Sequence, residues 1–491
     1  MAWYFQLFGL VAIAGAAIFI GVLIYDLVQR KHTILHNFPI GGHFRYMLEK
    51  IGPELRQYIV TDNDEERPFS RDQRTWVYAS SKRQNNYFGF GTDNDLERSS
   101  NYLILKQSGF PKAVPLVGSA DYDDNHTLPC AKVMGGWRER KKAFIPESAV
   151  CVSAMSYGSL GSAAVEALNT GCGIAGALHN TGEGGISKYH LNGGELILQL
   201  GTGYFGARNR DGSFCLEKLV DTVAGTKSIR AIEIKLSQGA KPGLGGVLPA
   251  AKVTPEIALA RGIEVGKACI SPSCHSAFSD IDSLLDFVEL VAESTGLPVG
   301  IKSAVGDLTF WTDLAQAMDK SGRGPDFIAI DGGEGGTGAA PLAFSDHVSF
   351  PFKLGFSKVH RIFEEECMED KVVFIGSARL GLPIEAAFAF ALGCDMIGVA
   401  REAMMSIGCI QAQRCHTGHC PAGIATHNKW LMSGLDPTLK SARLANYITT
   451  LRAEMIKLSY SAGVEHPSQL TRKHFEILDD QLGSRSAADV F

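Results

Sequence analysis

Two hydrophobic patterns divide this chain. Trp3 to Tyr25 contains no charged residue, and at about 1.5 Å rise per residue such a run is long enough to cross a bilayer. Aromatic residues mark its ends, Trp3, Tyr4 and Phe5 before and Tyr25 after, and Arg30, Lys31 and His32 follow at once. Aromatic belts and a basic flank are the signature of a span whose following part faces the cytoplasm. The start Met1-Ala2-Trp3-Tyr4 lacks the Lys or Arg of a secretory leader. Residues 1–28 are therefore expected to form a single-pass membrane anchor, with the catalytic part cytoplasmic. The competing reading is an apolar helix packed on the body of the protein or on another subunit.

Residues 29–140 are mixed in pattern, with turn signals at Asn37-Phe-Pro39, Gly41-Gly42 and Gly89-Phe-Gly91. Phe44 to Val60 reads as a helix interrupted near Gly52-Pro53, and Asp62 to Arg74 as a solvated charged face. This region is expected to be a lead-in that packs over one end of the catalytic body.

From about residue 145 the rhythm changes to short apolar, β-rich runs alternating with helical patterns, which argues for parallel strands joined by crossover helices. The runs are Val150–Ala154, Ile174–Leu178, Ile232–Leu236, Ala268–Ser271, Val299–Ser303, Phe327–Asp331, Val372–Gly376 and Met396–Ala400. Eight such strands close a (β/α)8 TIM barrel of the α/β class, here over residues 141–436, with residues 184–230 as an insertion and residues 437–491 as a helical cap. A doubly wound sheet is the alternative, but no dinucleotide fingerprint opens the first βα turn.

Composition adds limits. The chain has 491 residues, 45% hydrophobic and 20% charged, enough for a large core in a globular enzyme. A net charge of -5 gives no reason to expect a nucleic-acid partner. Glycine is abundant at 54 residues, as where backbone turns tightly or approaches a ligand.

Many of the strands end in chemically loaded residues, where barrel enzymes keep their active sites. Ser153-Ala154-Met155-Ser156 follows the first. Gly376-Ser377-Ala378-Arg379 and Gly398-Val399-Ala400-Arg401 lie on the last two, whose main-chain amides commonly bind phosphate in such barrels. Gly335 and Gly336, after Asp331, would close the same pocket, and a flavin phosphate fits it. Lys302 is placed to neutralise the N1/O2 edge of a reduced flavin. Lys235, Gln238 and Lys241 offer two cations and an amide at one strand end, suited to a dicarboxylate such as 2-oxoglutarate. Glu183 would orient substrate or relay a proton. The bland reading makes each lysine a solvated surface residue and Glu183 a turn carboxylate.

Cys409, Cys415 and Cys420 fall within a dozen residues, and Pro421 follows the last. Thiolates gathered so closely suit an iron–sulfur cluster with three cysteine-bound irons. A zinc site completed by His416 or His419 is the competing assignment, and unliganded buried thiols a third. The other eight cysteines are scattered and read as small buried hydrophobes in a reducing compartment.

These motifs resemble the glutamate synthase family. Ser153-Ala-Met-Ser-Tyr-Gly-Ser159, Asn180-Thr-Gly-Glu-Gly-Gly185, Glu233-Ile-Lys-Leu-Ser-Gln-Gly-Ala-Lys-Pro-Gly243, Gly335-Gly-Thr-Gly-Ala-Ala-Pro341 and the cysteine triad occur in the family's order. The resemblance covers most of residues 145 to 430. It implies an FMN barrel with a 3Fe–4S cluster that reduces 2-iminoglutarate to glutamate. Three departures fall on the substrate side. The family's proline- and histidine-rich segment is Ser271-Pro-Ser-Cys-His275 here, its basic position in the insertion is Tyr204, and its Gly-Glu-Gly-Gly is Gly243-Leu-Gly-Gly246. The N-terminal cysteine of the family's amidotransferase domain is replaced by Met1-Ala2 and an apolar run, so ammonia is expected from a separate subunit. With no second nucleotide fingerprint, electrons are expected from a ferredoxin-like or membrane-side donor. The alternatives are a flavin enzyme acting on another oxo or amino acid, and an idle, membrane-tethered electron-transfer or scaffold subunit.

Overall fold

The computed structural model describes residues 2–120, 122–248 and 250–491; Met1, Asp121, Pro249 and the side chains of Ala2, Phe5 and Ala251 lie outside the described residues. The expected belt position of Phe5 therefore lies outside them as well. The chain divides into two compact units, Met1–Asp72 and Gln73–Phe491.

The first unit opens with the helix Ala2–Val28, whose stretch Gln6–Val28 is long and apolar enough to cross a membrane; apart from Asp26 it is not buried against protein. A short helix, Thr33–Asn37, leads to a third, Gly41–Leu55. The interruption expected at Gly52-Pro53 does not occur. Pro53 withholds one N–H, and the helix continues into the π-helical turn Arg56–Val60, where the Thr61 N–H donates to the Arg56 carbonyl at 2.9 Å.

The second unit is an eight-stranded closed parallel barrel. Its strands are β1 Val150–Val152, β2 His179–Asn180, β3 Leu196–Leu200, β4 Ile229–Lys235, β5 Val299–Ala304, β6 Phe327–Asp331, β7 Val373–Ser377 and β8 Met396–Val399. They pair in sequence order, and β8 closes on β1 through Ile397↔Val150 and Val399↔Val152. The (β/α)8 expectation is met, with one exchange of strands. Ala268–Ser271 is not in the barrel: Cys269–Ile270 pairs antiparallel with Val247–Leu248 in a separate ribbon. The missing strand is β3, inside the segment expected to be an insertion. Only a single 3-10 turn, Lys188–His190, separates it from β2, so the strand–helix rhythm that marks the other units is absent there. The expected strand Ile174–Leu178 also misses: Ile174 and Ala175 close the helix Ser162–Ala175, Gly176–Leu178 lead out of it, and the strand begins only at His179.

The floor of the barrel is closed by chain that precedes β1. Met134 and Phe144 exchange backbone hydrogen bonds at 2.8 and 3.1 Å, and both pack with Ile197, Ala231, Phe327, Val373 and Met396 in one apolar cluster. Further upstream, Tyr102–Leu105 pairs with Phe475–Leu478, which pairs with Ser484–Ser486. The tail is thus only partly helical. Its long helix Pro437–Ser461 packs on Ser162–Ala175, and an antiparallel sheet follows. These pairings explain why the compact boundary falls after Asp72 and not at 140. Arg74, expected on a solvated face, is buried in this unit. Six of the eight scattered cysteines are buried as expected, but Cys274 and Cys367 are exposed, and no disulfide occurs among the described residues.

Phe327 is fully buried, and its ring lies so close over Gly300 that a Cβ there would collide with it. Phe327→Ala should cost about 3–5 kcal/mol, read as a lowered thermal-unfolding midpoint. An unchanged midpoint would contradict this packing of the floor.

Candidate active site

Inside the barrel, buried charges are paired. Glu233 of β4 points inward, and its Oε1 accepts from Asn180 Nδ2 at 2.8 Å and Gln199 Nε2 at 2.6 Å. Lys302 of β5 lies 3.5 Å from Asp331 Oδ2. Burial alone would depress the Lys302 ammonium, but Asp331 and Glu233 outweigh it, and the pKa is raised. Asp331 also accepts the Gly239 N–H at 3.0 Å. Ser153 and Ser377 meet through their hydroxyls at 3.2 Å across the β1–β7 side. Ser153, Lys302, Ser377 and Gly398 line one interior cavity with Asn180 and Glu233.

Above this layer sits a second cluster. Lys235 Nζ donates to Glu183 Oε1 at 2.8 Å and to Gln238 Oε1 at 3.3 Å, and Gln238 Nε2 donates to the Gly336 carbonyl at 3.1 Å. Burial pushes the Glu183 carboxyl up, but Lys235, Lys241 and Arg261 more than reverse this and hold it ionised. Gly201 and Gly246 make room for that carboxylate, since a Cβ on either would run into it. Lys241 is buried, and its ammonium has no hydrogen-bond or ion-pair partner among the described residues. Burial, then the charge of Lys235, lowers its pKa, and Glu183 only partly offsets them. A largely desolvated cation beside a second cation is favoured by a bound anion. The bland reading of these lysines as solvated surface residues fails.

Lys235 is held from behind. Its carbonyl accepts from His275 Nε2 at 2.9 Å. A carbonyl cannot donate, so Nε2 carries the proton and Nδ1 is the acceptor. The Tyr204 hydroxyl, 2.9 Å from Nδ1, must then donate to it, while accepting the Ala277 N–H at 3.2 Å. Tyr204 is completely buried, and His275 stacks on Phe278 at 4.6 Å. Both residues lie in segments expected from the sequence to depart from the family pattern.

At the β7 and β8 ends, Arg401 Nη2 donates to the Glu334 carbonyl at 2.6 Å, and a Cβ on Gly336 would meet the Arg401 side chain at 2.8 Å. Burial, offset by Glu402 and reinforced by Arg379, lowers the Arg401 pKa, so two guanidinium groups share this corner. Gly335 closes a turn by donating to the Gly332 carbonyl at 2.9 Å, and Ala400 stands just before the helix Arg401–Ser406. Gly376 faces the other way: a Cβ there would meet Phe352 and Cys394 outside the barrel, so only its main chain is near the site. Ala154 and Met155 are half-buried in the loop after β1. Ser156 leaves the inner layer and meets Ser159 at 3.0 Å.

Cys409, Cys415 and Cys420 are neighbours: burial raises the pKa of the first two, and the charges of Cys415 and Cys420 add to the rise at Cys409 and that of Cys420 to the rise at Cys415. Cys409 rises to about 11. Their loop is pinned by Tyr78, whose hydroxyl donates to the Cys409 carbonyl at 2.7 Å, and by Lys252, whose ammonium donates to the Cys415 carbonyl at 3.1 Å. Buried Arg74 adds a positive charge near Cys409. Among the described residues no three His, Cys, Asp or Glu side chains converge closely enough to hold one metal ion.

Sequence reasoning did not find Glu233, Gln199, Lys252 or Arg74 as site residues. Glu233 carried a legible signal, a carboxylate two positions before Lys235 and hence on the same strand face.

Tyr204→Phe removes the hydroxyl that satisfies His275 Nδ1 and should cost about 1–3 kcal/mol. Because burial lowers the His275 pKa, its neutral form contributes stability that is complete above about pH 6.5 and is lost as pH falls toward the lowered folded value. His275→Asn should flatten that acid limb of a stability–pH profile; an identical profile would refute the buried, neutral imidazole.

Comparison with known proteins agrees with the geometry. Residues 131–465 match the family model described as a conserved region in glutamate synthase. The glutamate synthase large subunit-like protein YerD of Bacillus subtilis (strain 168) is 37% identical over 495 residues, covering 95% of this chain and 93% of that protein. An archaeal glutamate synthase (NADPH) of Methanocaldococcus jannaschii is 34% identical over 321 residues, covering 65% of this chain and 59% of that protein. Among solved structures, a mutant flavocytochrome b2 with pyruvate bound aligns at a TM-score of 0.45 and 13% identity, over 87% of this chain and 91% of that one. With well over half its length matched by the family model and nearly all of it aligned to the Bacillus protein, the chain belongs to the glutamate synthase family.

Proposed function

We propose that this protein is a membrane-anchored FMN and 3Fe–4S oxidoreductase that reduces an imino acid, formed from 2-oxoglutarate and ammonia or an amine, to an amino acid such as glutamate. Family membership makes it an oxidoreductase. The observation that carries the finer reading is buried Lys241 beside the Lys235–Glu183 pair, on the same barrel mouth as Lys302 and Asp331.

The residues present fit a flavin. Lys302, buried yet kept charged by Asp331 and Glu233, suits the N1/O2 edge. Main-chain amides of 376–379 and 398–401, with Arg379 and Arg401, suit the phosphate, and Gly336 leaves the corner open for Arg401. When bound, FMN supplies hydride transfer. Cys409, Cys415 and Cys420 suit the cluster by donor chemistry and mutual proximity, and it supplies one-electron transfer from a ferredoxin-like or membrane-side donor. Lys235, Gln238 and Lys241 bind the substrate carboxylates. Glu183 holds the Lys235 ammonium in place, and His275 fixes the main chain that carries it. The helix Gln6–Val28 anchors the chain, with the catalytic unit on the cytoplasmic side; its lack of burial against protein favours a span over a core helix.

A second reading, reduction of another oxo or amino acid, rests on the Tyr204–His275 tie directly behind Lys235, formed by residues of the two segments expected to depart from the family pattern. Turnover of 2-oxoglutarate with a panel of amines, against a panel of other oxo acids, separates the two. An idle scaffold has no physical need for a buried Lys241.

Purified protein should contain FMN and iron, with an oxidised-state EPR signal near g = ~2. Each of Cys409→Ala, Cys415→Ala and Cys420→Ala should lose the iron and the signal while flavin stays. Zinc in place of iron, or unaltered spectra, would overturn the cluster. Lys235→Met should raise KM for 2-oxoglutarate about 10–100-fold, the loss of one charge-assisted hydrogen bond. An unchanged KM would remove Lys235 from substrate binding.

A further inference from the structure

We infer that the helix Gly41–Leu55 lies flat on the membrane, its apolar stripe embedded at the headgroup–acyl boundary of the bilayer that Gln6–Val28 crosses. The inference rests on the membrane-anchor reading and adds a second, in-plane element to it.

The stripe is explicit in the sequence. Phe44, Met47, Leu48, Ile51 and Leu55 recur at i, i+3, i+4, i+7 and i+11, which places them on one face of an α-helix. Arg45, Glu49 and Lys50 fall on the opposite side, and Arg45 and Glu49 bridge each other at 3.1 Å. Burial does not account for the apolar face: Phe44 is 60% exposed, Met47 49% and Ile51 40%. The π-helical turn beyond it continues the pattern with exposed Tyr58, Ile59 and Val60. Such a face needs an occupant, and the position of the helix names it.

A compact elbow joins the helix to the end of the span. Asp26, completely buried, accepts the Ile40 N–H at 3.0 Å and His43 Nε2 at 2.9 Å. Leu35 packs where a Cβ on Gly42 would come within 2.8 Å of it. Ile40 takes a positive φ of 65° to make the turn. The elbow thus holds the first turn of the amphipathic helix beside the last turn of the apolar one, where a bilayer crossed by Gln6–Val28 has its surface. Arg30 and Lys31, between the two, are placed for anionic headgroups. An amphipathic face with mixed charge opposite, fixed at that level, has the form of an interfacial helix.

The test is nitroxide accessibility in the full-length protein, reconstituted in nanodiscs of phosphatidylcholine and phosphatidylglycerol. Genetically encoded labels, chosen because the chain has free cysteines, are placed singly at Ile13, Met47, Ile51 and Glu49. Collision with oxygen reports lipid, and collision with a neutral nickel chelate reports water. The inference expects the oxygen-to-nickel ratio at 47 and 51 to be several-fold above that at 49 and to approach the value at 13. A lipid-like value at 13 with water-exposed, or doubly shielded, labels at 47 and 51 would overturn it while leaving the anchor intact. A water-like value at 13 would overturn the anchor and this inference together.

Discussion

Lys302 is an ammonium group in the interior of a barrel, and it keeps its charge because Asp331 lies 3.5 Å away and Glu233 stands close by. Removing any one of these would strand a buried charge, which costs several kcal/mol. The inner layer of the mouth follows from that constraint. Asn180 and Gln199 turn toward Glu233 to satisfy it, and the Gly239 main chain folds down onto Asp331. Charge pairing therefore ties β2, β3, β4, β5 and β6 together at the end where barrel enzymes work.

The outer layer repeats the logic with a deliberate shortfall. Glu183 is shared between Lys235 and Lys241, one carboxylate for two cations, and the second cation is left without a hydrogen-bond or ion-pair partner among the described residues. An incoming carboxylate would restore the balance. Lys235 does not achieve its position alone. Tyr204 and His275 hold its carbonyl from behind, through a tautomer that the carbonyl itself dictates. The position of Lys235 thus depends on a buried tyrosine outside the cation layer itself.

Most of the barrel was legible because six of its strands carry a short apolar run with its chemistry at the end, whereas β2 is only His179–Asn180, just beyond the run expected to form it. β3 was hidden: LILQL is strand-like, but only a 3-10 turn precedes it, so no helix marks the crossover. Ala268–Ser271 looked like a barrel strand because two of its residues do form β structure, in a ribbon of their own. Lys302, Asp331, Lys235 and Glu183 were legible from their places at strand ends or turns. The Tyr204–His275 tie was not, because its partners lie 71 positions apart and neither shows alone what it bonds. Glu66 and Arg74 were misread since a charge run on paper gives no sign that two of its members turn inward.

The most direct test is an anaerobic absorbance titration of the oxidised, detergent-solubilised protein with 2-oxoglutarate. The account predicts a saturable perturbation of the visible flavin band that is strongly weakened in Lys241→Met, a variant that should retain its flavin. A spectrum unmoved by 2-oxoglutarate in the unaltered protein, or a Lys241→Met response equal to it, would contradict the assignment of this cation cluster as the carboxylate site.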